Sequence, residues 1–230
     1  MAAAVDAFAD LETERGTLAR SSTADRVADI IRERIIGGTL APGTRLREDK
    51  IGSALGVSRN TLREAFRLLV HEGLAVSEFN RGVQVRRLTN DDVVQLYRYR
   101  RLIECAAVRR AEHATPEAIA ALRQAVADGE RAAGEQRWPE VGTANMRFHQ
   151  AIVALADSTL ANESMRQATA QLRLAFHVMA NPRAFHEPYL RRNAELAALI
   201  ESGDGAAAAE QLAVYLDDAE RQLLETEPQS

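Results

Sequence analysis

The 230-residue sequence predicts a mainly α-helical protein built from two parts. An N-terminal winged helix-turn-helix of three helices and a small β-hairpin is followed by an all-α antiparallel helical bundle. Hydrophobic residues form 46% of the chain and aromatic residues only 5%, which is typical of helices with aliphatic cores. Residues 55–73 contain a tight turn that leads into an amphipathic helical pattern. Residues 89–230 show helical periodicity throughout, with short breaks that favour antiparallel neighbours.

The sequence before the turn in residues 55–73 predicts a tail, a first helix and a short strand. Residues 1–21 are rich in small and acidic residues without a clear period, and we expect a mobile N-terminal tail. The winged helix-turn-helix is expected over residues 22–88. Thr23 can cap its first helix, whose end is marked by Gly37-Gly38. The apolar stripe of this helix comprises Val27, Ile30, Ile31 and Ile35. Pro42-Gly43 predicts a turn, and the residues after it a short strand.

Two helices flank the Gly56-Val57 turn. The first carries the apolar residues Ile51, Ala54 and Leu55. Ser58 is a typical N-cap for the second, and Gly73 supplies the left-handed residue that commonly ends a helix. Its apolar stripe consists of Leu62, Ala65, Phe66 and Leu69. Residues 74–77 and 83–85 then alternate apolar and polar around Asn80-Arg81-Gly82, which predicts a hairpin with Arg81 at its tip.

The polar face of the second of these helices indicates a partner. It carries Arg59, Asn60, Arg63 and Arg67. Arg can bond both guanine acceptors in a DNA major groove, and the N–H groups at a helix start suit a phosphate. An Arg-rich face can also be merely solvated, but the helix-turn-helix context favours DNA. Residues 22–90 hold 12 Lys and Arg against 8 Asp and Glu, a local +4 in a chain of net charge −4. The local charge permits phosphate contact.

Several other classes of protein are disfavoured. The N-terminal segment lacks the basic start and apolar centre of a secretory signal, and no stretch approaches the ~18 uncharged apolar residues of a membrane span. Cys105 is the only cysteine, which fits a reducing compartment, so we expect a cytoplasmic protein. No Gly-rich phosphate loop, nucleophile elbow or pair of carboxylates near a base is present, and we expect no enzyme activity and no cofactor.

Residues 24–88 resemble the DNA-binding domain of GntR-family bacterial transcription regulators. The matching residues are Leu40-Ala41-Pro42-Gly43, Leu46-Arg47-Glu48, Leu55-Gly56-Val57-Ser58-Arg59, Leu62-Arg63-Glu64-Ala65, Glu72-Gly73-Leu74 and Arg81-Gly82. The resemblance implies base and phosphate contacts through Arg59, Thr61 and Arg63, with Arg81 and Gly82 in the wing. The full set of expected DNA-binding residues is Arg45, Arg47, Ser58, Arg59, Asn60, Thr61, Arg63, Arg81 and Gly82.

Two positions depart from common patterns in that family. Many relatives have Pro where this chain has Leu62, and Thr61-Leu62 is closer to the fatty-acid-responsive branch. A basic residue often used by that branch would fall at Asp49. The resemblance therefore implies that this contact is absent or supplied by Arg47 or Lys50.

Residues 89–230 predict six or so helices. Thr89 or Asn90 can cap the first, which is expected to reach about Glu112. Thr115-Pro116-Glu117 starts the second and Pro139 opens the third. The fourth is expected over residues 159–179, the fifth over about 187–201, and Asp204 caps the last.

This half is similar to the FCD effector domain of the FadR-type branch. The resemblance rests on Arg100 with Glu104, on Phe148-His149, and on Gly203-Asp204 with the Ala-rich helix after it. Many relatives bind a divalent metal within this bundle. The ligand positions fall at Asn145, His149, Asn193 and Tyr215, of which only the histidine is a usual transition-metal ligand. We therefore expect no metal.

The same four residues with Arg100 form the expected effector-binding set. Asn145 and His149 share one helix face, and a buried cluster of two amides, an imidazole and a phenol must be hydrogen-bonded. It can bond to itself and to water, or to a small ligand. Arg100 can anchor a carboxylate, or it can pair with Glu104 one turn away.

Together these features predict a homodimeric transcription regulator, most often a repressor in this family. Its expected partners are double-stranded operator DNA with an inverted repeat and a small-molecule effector such as an organic acid or an acyl-CoA, with no membrane. A metal-responsive or effector-independent regulator of the same fold is the alternative.

Overall fold

The computed structural model describes residues 22–79, 82–177, 179 and 181–225, and its fold class is the predicted one. Across these residues the chain is mainly helical, with a two-stranded antiparallel sheet near its N-terminal end. The tail expected over residues 1–21 lies outside the described residues. No helix in the described ranges is both long enough and apolar enough to span a bilayer.

The N-terminal part contains three helices and the hairpin. They are α1 (Thr23–Ile36), α2 (Glu48–Leu55), α3 (Arg59–His71), β1 (Ala75–Glu78) and β2 (Gly82–Val85). The strands pair with Ala75 opposite Val85 and Glu78 opposite Gly82. The strand expected after Pro42-Gly43 is a single bridge in which Arg45 pairs with Gln84 of β2. Leu46 N–H donates to Val83 O over 2.8 Å and extends this contact.

The core of the winged part forms around α3. All four predicted stripe residues, Leu62, Ala65, Phe66 and Leu69, are buried there. Ala54 of α2 is exposed, so only Ile51 and Leu55 of that helix's predicted apolar set pack against this core. A bidentate ion pair joins α1 to the end of α3, with Arg32 Nε and Nη2 at 2.6 and 2.5 Å from the Glu72 carboxylate.

The C-terminal part is a bundle of α4 to α9. These helices are α4 (Asn90–Val108), α5 (Pro116–Gly134), α6 (Trp138–Ala154), α7 (Thr159–Phe176), α8 (Pro182–Glu201) and α9 (Gly205–Glu225), with a 3-10 turn at Ala111–His113. Leu122, Phe148, Ile152, Leu196 and Leu212 are fully buried in its core. Ala170 and Leu174 of α7 pack instead into the core of the winged part. Helix α7 therefore belongs to both parts.

Most predicted helix starts hold, but the N-cap of α1, the end of α4 and the start of α8 differ, and α7 ends at Phe176, three residues before the expected end. Ser22 rather than Thr23 caps α1, because Ser22 and Asp25 form a reciprocal capping box. Helix α4 stops at Val108, four residues before the expected end. The first residue of α9 packs there, since a Cβ on Gly205 would lie 2.7 Å from Val108 O.

Helix α8 begins five residues earlier than predicted, at Pro182, and runs through Pro188. A helix starting near residue 187 would have placed Pro188 in its first turn, where proline is favoured. Pro188 has no N–H for the carbonyl of Ala184, four residues before it. The side-chain amide of Gln222 in α9 donates to that carbonyl over 3.1 Å. A contact from a distant helix thus allows the helix to continue through proline.

Candidate nucleic-acid interface and effector site

The N-terminal end of α3 presents an exposed polar surface. Ser58 caps the helix, and its Oγ accepts from Thr61 N–H over 3.2 Å. The two hydroxyl oxygens of these residues lie 2.8 Å apart. Arg59, Asn60 and Arg63 are all exposed beyond this cap. The buried stripe on the opposite side fixes the direction in which these side chains point.

Three segments of the winged part meet beside that surface. A surface depression of about 570 Å³ is lined by residues of the loop before α2, the start of α3 and the start of β2. Among its lining residues are Arg45, Arg47, Arg59 and Gly82. A Cβ on Gly82 would lie 3.7 Å from Arg45 Nη2, which places that guanidinium beside the wing. Arg81 falls outside the described residues.

Two of the exposed arginines of the winged part, Arg47 and Arg63, are paired with carboxylates. Arg47 Nη2 lies 2.8 Å from Asp49 Oδ2, and Arg63 Nε lies 3.2 Å from Glu48 Oε1. The hydrogen bond from Arg47 holds the pKa of Asp49 below its usual value. Such exposed pairs are weak and exchange readily for a stronger anion. A phosphate group can therefore compete with these carboxylates for Arg47 and Arg63.

The five expected effector residues occupy one buried network inside the bundle. Asn145 lies at its centre, with Oδ1 accepting from Tyr215 Oη over 2.9 Å and from Asn193 Nδ2 over 2.8 Å. Tyr215 Oη also lies 3.2 Å from His149 Nε2. Residues from α6, α8 and α9 thus meet through direct contacts.

Glu104 joins this network to Arg100. Its Oε2 lies 2.6 Å from His149 Nδ1, and its Oε1 accepts from Arg100 Nε over 2.6 Å. All three residues are at most 4% exposed. Burial would raise the pKa of Glu104, but the Arg100 guanidinium and the contact with His149 outweigh it and lower that pKa. Burial lowers the pKa of His149, and the Glu104 carboxylate opposes that shift. An ionised carboxylate can only accept, so His149 Nδ1–H is the donor of this hydrogen bond.

A small cavity adjoins the amide end of the network, between α5, α6 and α8. Its volume is about 10 Å³, close to the space for one water molecule. Asn145, Asn193 and His186 supply its polar lining. Asn193 Oδ1 and His186 Nδ1 are buried and have no hydrogen-bond partner among the described residues. A small polar molecule at this point would meet two unsatisfied groups.

Few metal-binding side chains come together in the bundle. Within the part of the chain that the structure describes, no three His, Cys, Asp or Glu side chains group around a point that could hold a metal ion. Glu104 and His149 are adjacent, but their other neighbours are a guanidinium, a phenol and an amide. This donor set does not fit a transition-metal site.

Comparison with known families accounts for both halves of the chain. Residues 23–85 match the model of bacterial regulatory proteins of the gntR family, and residues 95–218 match the FCD domain. The chain belongs to the GntR family of bacterial regulatory proteins. Members of this family are DNA-binding transcription regulators rather than enzymes.

Individual relatives agree with this assignment. The GntR-family chain is 31% identical to the HTH-type transcriptional regulator YdhC of Bacillus subtilis over 54% of its length, which is 56% of that protein. It is 26% identical to the HTH-type transcriptional repressor RspR of Escherichia coli K12, over 82% of this chain and 83% of that protein. The crystal structure of a GntR protein from Rhodococcus sp. RHA1 superposes with a TM-score of 0.81 at 42% identity, covering 87% and 97% of the two chains.

In this GntR-family protein the predicted residues fall into two groups. The described DNA-binding candidates share one exposed surface, and the effector candidates share one buried network. Arg100 pairs with Glu104, which is one of the two arrangements that the sequence left open. One Arg100 nitrogen, Nη2, is buried without a partner in the part of the chain that the structure describes.

Sequence reasoning missed three groups near these sites. It considered Glu104 only as a partner for Arg100, although the same carboxylate binds His149 from a different helix. It did not single out His186 or Arg173, both of which are buried polar residues. The only sequence signal for them is a charged or polar residue on a helix face that is otherwise apolar.

Proposed function

We propose that this protein is a transcription regulator, acting as a repressor, that binds operator DNA through α3 and the hairpin wing. The exposed surface where Arg45, Arg47, Arg59 and Gly82 come together supports this proposal most directly, and Arg63 is paired with Glu48, which also lines it. Arg59 and Arg63 lie in the first turns of a capped helix whose opposite face is buried, the geometry of a recognition helix. Arg81 with Gly82 would place the wing against the backbone or the minor groove.

The proposed organisation has a winged domain at 22–88 and an effector-binding and dimerisation domain at 89–230. A homodimer would present two α3 helices to the half-sites of an inverted repeat, about one helical turn apart. The molecule would act in the cytoplasm, where it meets DNA. RspR, which is 26% identical to this chain, is named a repressor.

We further propose that a small molecule, such as an organic acid or an acyl-CoA, binds in the bundle without a transition metal. Arg100, Asn145, His149, Asn193 and Tyr215 would provide its polar contacts. The unpartnered Arg100 Nη2 and Asn193 Oδ1 support this role, since a ligand would satisfy both. The cavity of about 10 Å³ means that α5 and α8 must separate to admit a ligand larger than water.

A selection of duplexes from a random-sequence pool tests the DNA-binding role. The wild-type protein should enrich an inverted repeat and bind it in gel-shift titrations with an affinity that falls steeply with salt. Recovery of no motif above background would contradict the proposal.

A thermal-shift screen of organic acids, amino acids and acyl-CoA thioesters tests the effector role. A compound that stabilises the protein and also releases the selected duplex supports it. If no compound does both, the network around Asn145 is better explained as a structural one whose members bond only to each other, and the protein as an effector-independent regulator. Stabilisation by Zn²⁺ or Ni²⁺ with release of DNA would favour a metal-responsive one.

A further inference from the structure

One helix of the bundle contacts the ends of two helices in the winged domain. Gln171 Nε2 of α7 donates to Glu72 O over 2.9 Å, directly after α3. Arg173 Nε and His177 Nε2, also contributed by α7 and its C-cap, lie 3.2 and 2.7 Å from Ile36 O, the last residue of α1. Carbonyls at helix C-termini have no partner within their own helix. Side chains from α7 supply that partner for both helices.

Two glycines allow this close approach. Gly38 and Gly73 have φ values of +81° and +72°, in the left-handed region that favours glycine. A Cβ on Gly38 would lie 2.8 Å from the His177 ring, and one on Gly73 would lie 2.7 Å from the Gln171 amide. Any rotation of α7 must therefore be accompanied by movement of the winged domain.

Arg173 contacts both parts of the protein at once. While Nε donates to Ile36 O, Nη2 donates to Pro139 O in the first turn of α6 over 3.0 Å. The residue is 6% exposed and forms no ion pair among the described residues. A buried guanidinium that relies on backbone carbonyls alone is weakly compensated. Loss of either carbonyl would therefore leave this buried charge with one hydrogen-bonded partner among the described residues.

His186 stands between Arg173 and the cavity. Its ring is 3% exposed and packs edge-on against Phe176 and Phe185, with ring centroids 5.2 and 5.0 Å away. It lines the cavity together with Asn145 and Asn193, and its Nδ1 has no partner. A Cβ placed on Gly142 would lie 2.8 Å from His186 Nε2 and 2.9 Å from Arg173 Nη1. The imidazole and the guanidinium are therefore close neighbours at one point of α6.

We propose that His186 is a ligand-contacting residue of the cavity and that Arg173 is the positioning residue that transmits its displacement to the winged domain. A small polar ligand that bonds Asn193 Oδ1 and His186 Nδ1 moves the imidazole against Arg173. The guanidinium then leaves Ile36 O, which keeps only its hydrogen bond from His177, and the orientation of α1 and α3 is held less firmly. The proposal rests on the effector role proposed above and names the residues through which that role acts.

Gly142→Ala tests this coupling without any ligand, because the new methyl group displaces the same two side chains. Two aromatic rings pack against His186, so the methyl group should displace mainly Arg173. The variant should bind the duplex selected by the wild-type protein roughly 5–150-fold more weakly, the range typical of allosteric coupling. Backbone amides of residues 37–40 should exchange with deuterium faster than in the wild type. Gly134→Ala is the matched control, since a Cβ there meets no atom within 4 Å.

Arg173→Met provides a second, independent variant, which keeps the aliphatic stem and removes the hydrogen bonds. It should weaken DNA binding to a similar extent, and Gly142→Ala should have no further effect in its background. Unchanged or tighter DNA binding by folded Arg173→Met overturns the proposal, as does an additive double variant. If instead the wild-type protein selects no duplex at all, the proposed DNA-binding function fails.

Discussion

His149 and Glu104 form a buried pair across two helices, with 2.6 Å between Nδ1 and Oε2. The carboxylate lies between an imidazole from α6 and the Arg100 guanidinium from its own helix. It is fully buried, so its charge depends on these two neighbours rather than on water. Glu104 therefore controls both the stability of the bundle and the orientation of His149 in the proposed effector site.

Replacing Glu104 by Ala should lower the free energy of unfolding by about 3–5 kcal/mol, because it leaves a buried guanidinium without a counter-charge. Urea titration followed by circular dichroism measures the change. Glu187→Ala is the control, since its pair with Arg183 is exposed and i,i+4 in α8, and it should leave the midpoint unchanged. Equal midpoints for the two variants would show that the buried pair contributes little.

His186 should make the protein less stable in mild acid. Burial, reinforced by Arg173, lowers its pKa to about 4, whereas the ordinary value is 6.5. Between pH 6.5 and 4 the unfolded chain binds a proton that the folded chain does not, so stability falls as the pH falls through this window. Above pH 6.5 the contribution is constant.

The comparison of wild type with His186→Gln isolates this effect. Between pH 7 and 4 the wild type should lose on the order of 3 kcal/mol more of its unfolding free energy than the variant. Urea titrations at several pH values give both curves. Parallel curves would mean that the pKa of His186 is the same in the folded and the unfolded protein.

Arg63→Ala should reduce discrimination between the selected duplex and single-base variants of it by roughly 1–3 kcal/mol, if Arg63 contacts a base. Gel-shift titrations with both kinds of duplex measure this. Arg123→Ala is the matched control. Arg123 is 65% exposed and paired with Glu201, and Arg63 is 63% exposed and paired with Glu48. Arg123 lies in α5, away from the winged domain, and its loss should not affect DNA binding. Identical affinity and specificity of the Arg63 variant would exclude the proposed contact.

Asp49→Asn should strengthen DNA binding. The substitution removes a negative charge beside the proposed phosphate contacts and frees Arg47 from its ion pair. The slope of log affinity against log salt should steepen by up to about 1, because one more cation is available to a phosphate. Glu163→Asn, which removes an exposed carboxylate paired with Arg166 in α7, should leave the slope as it is. A weaker complex would indicate that Asp49 positions Arg47 for binding.

The sequence alone determined the helices whose signals are local. Ser58 caps α3, and four apolar residues at helical spacing form its buried face, because both features depend on residues within a few positions of each other. The same holds for Thr89 at α4 and for Thr115 with Pro116 at α5. It also holds for the two strands of the hairpin, which the alternation on either side of residues 80–82 predicts. The resemblance to a known family extended this to the residues that meet around Asn145.

Only the tertiary structure decided the contacts between distant segments. Helix α8 continues through Pro188 because Gln222 bonds the carbonyl that proline cannot. Glu104 binds His149, 45 residues away, and Arg173 binds Ile36, 137 residues away. Local pattern shows that such residues lie on helices. Whether a charged side chain is buried depends on which helices pack beside it. That packing joins residues that are far apart in the sequence, and no local sequence pattern indicates which of them will meet.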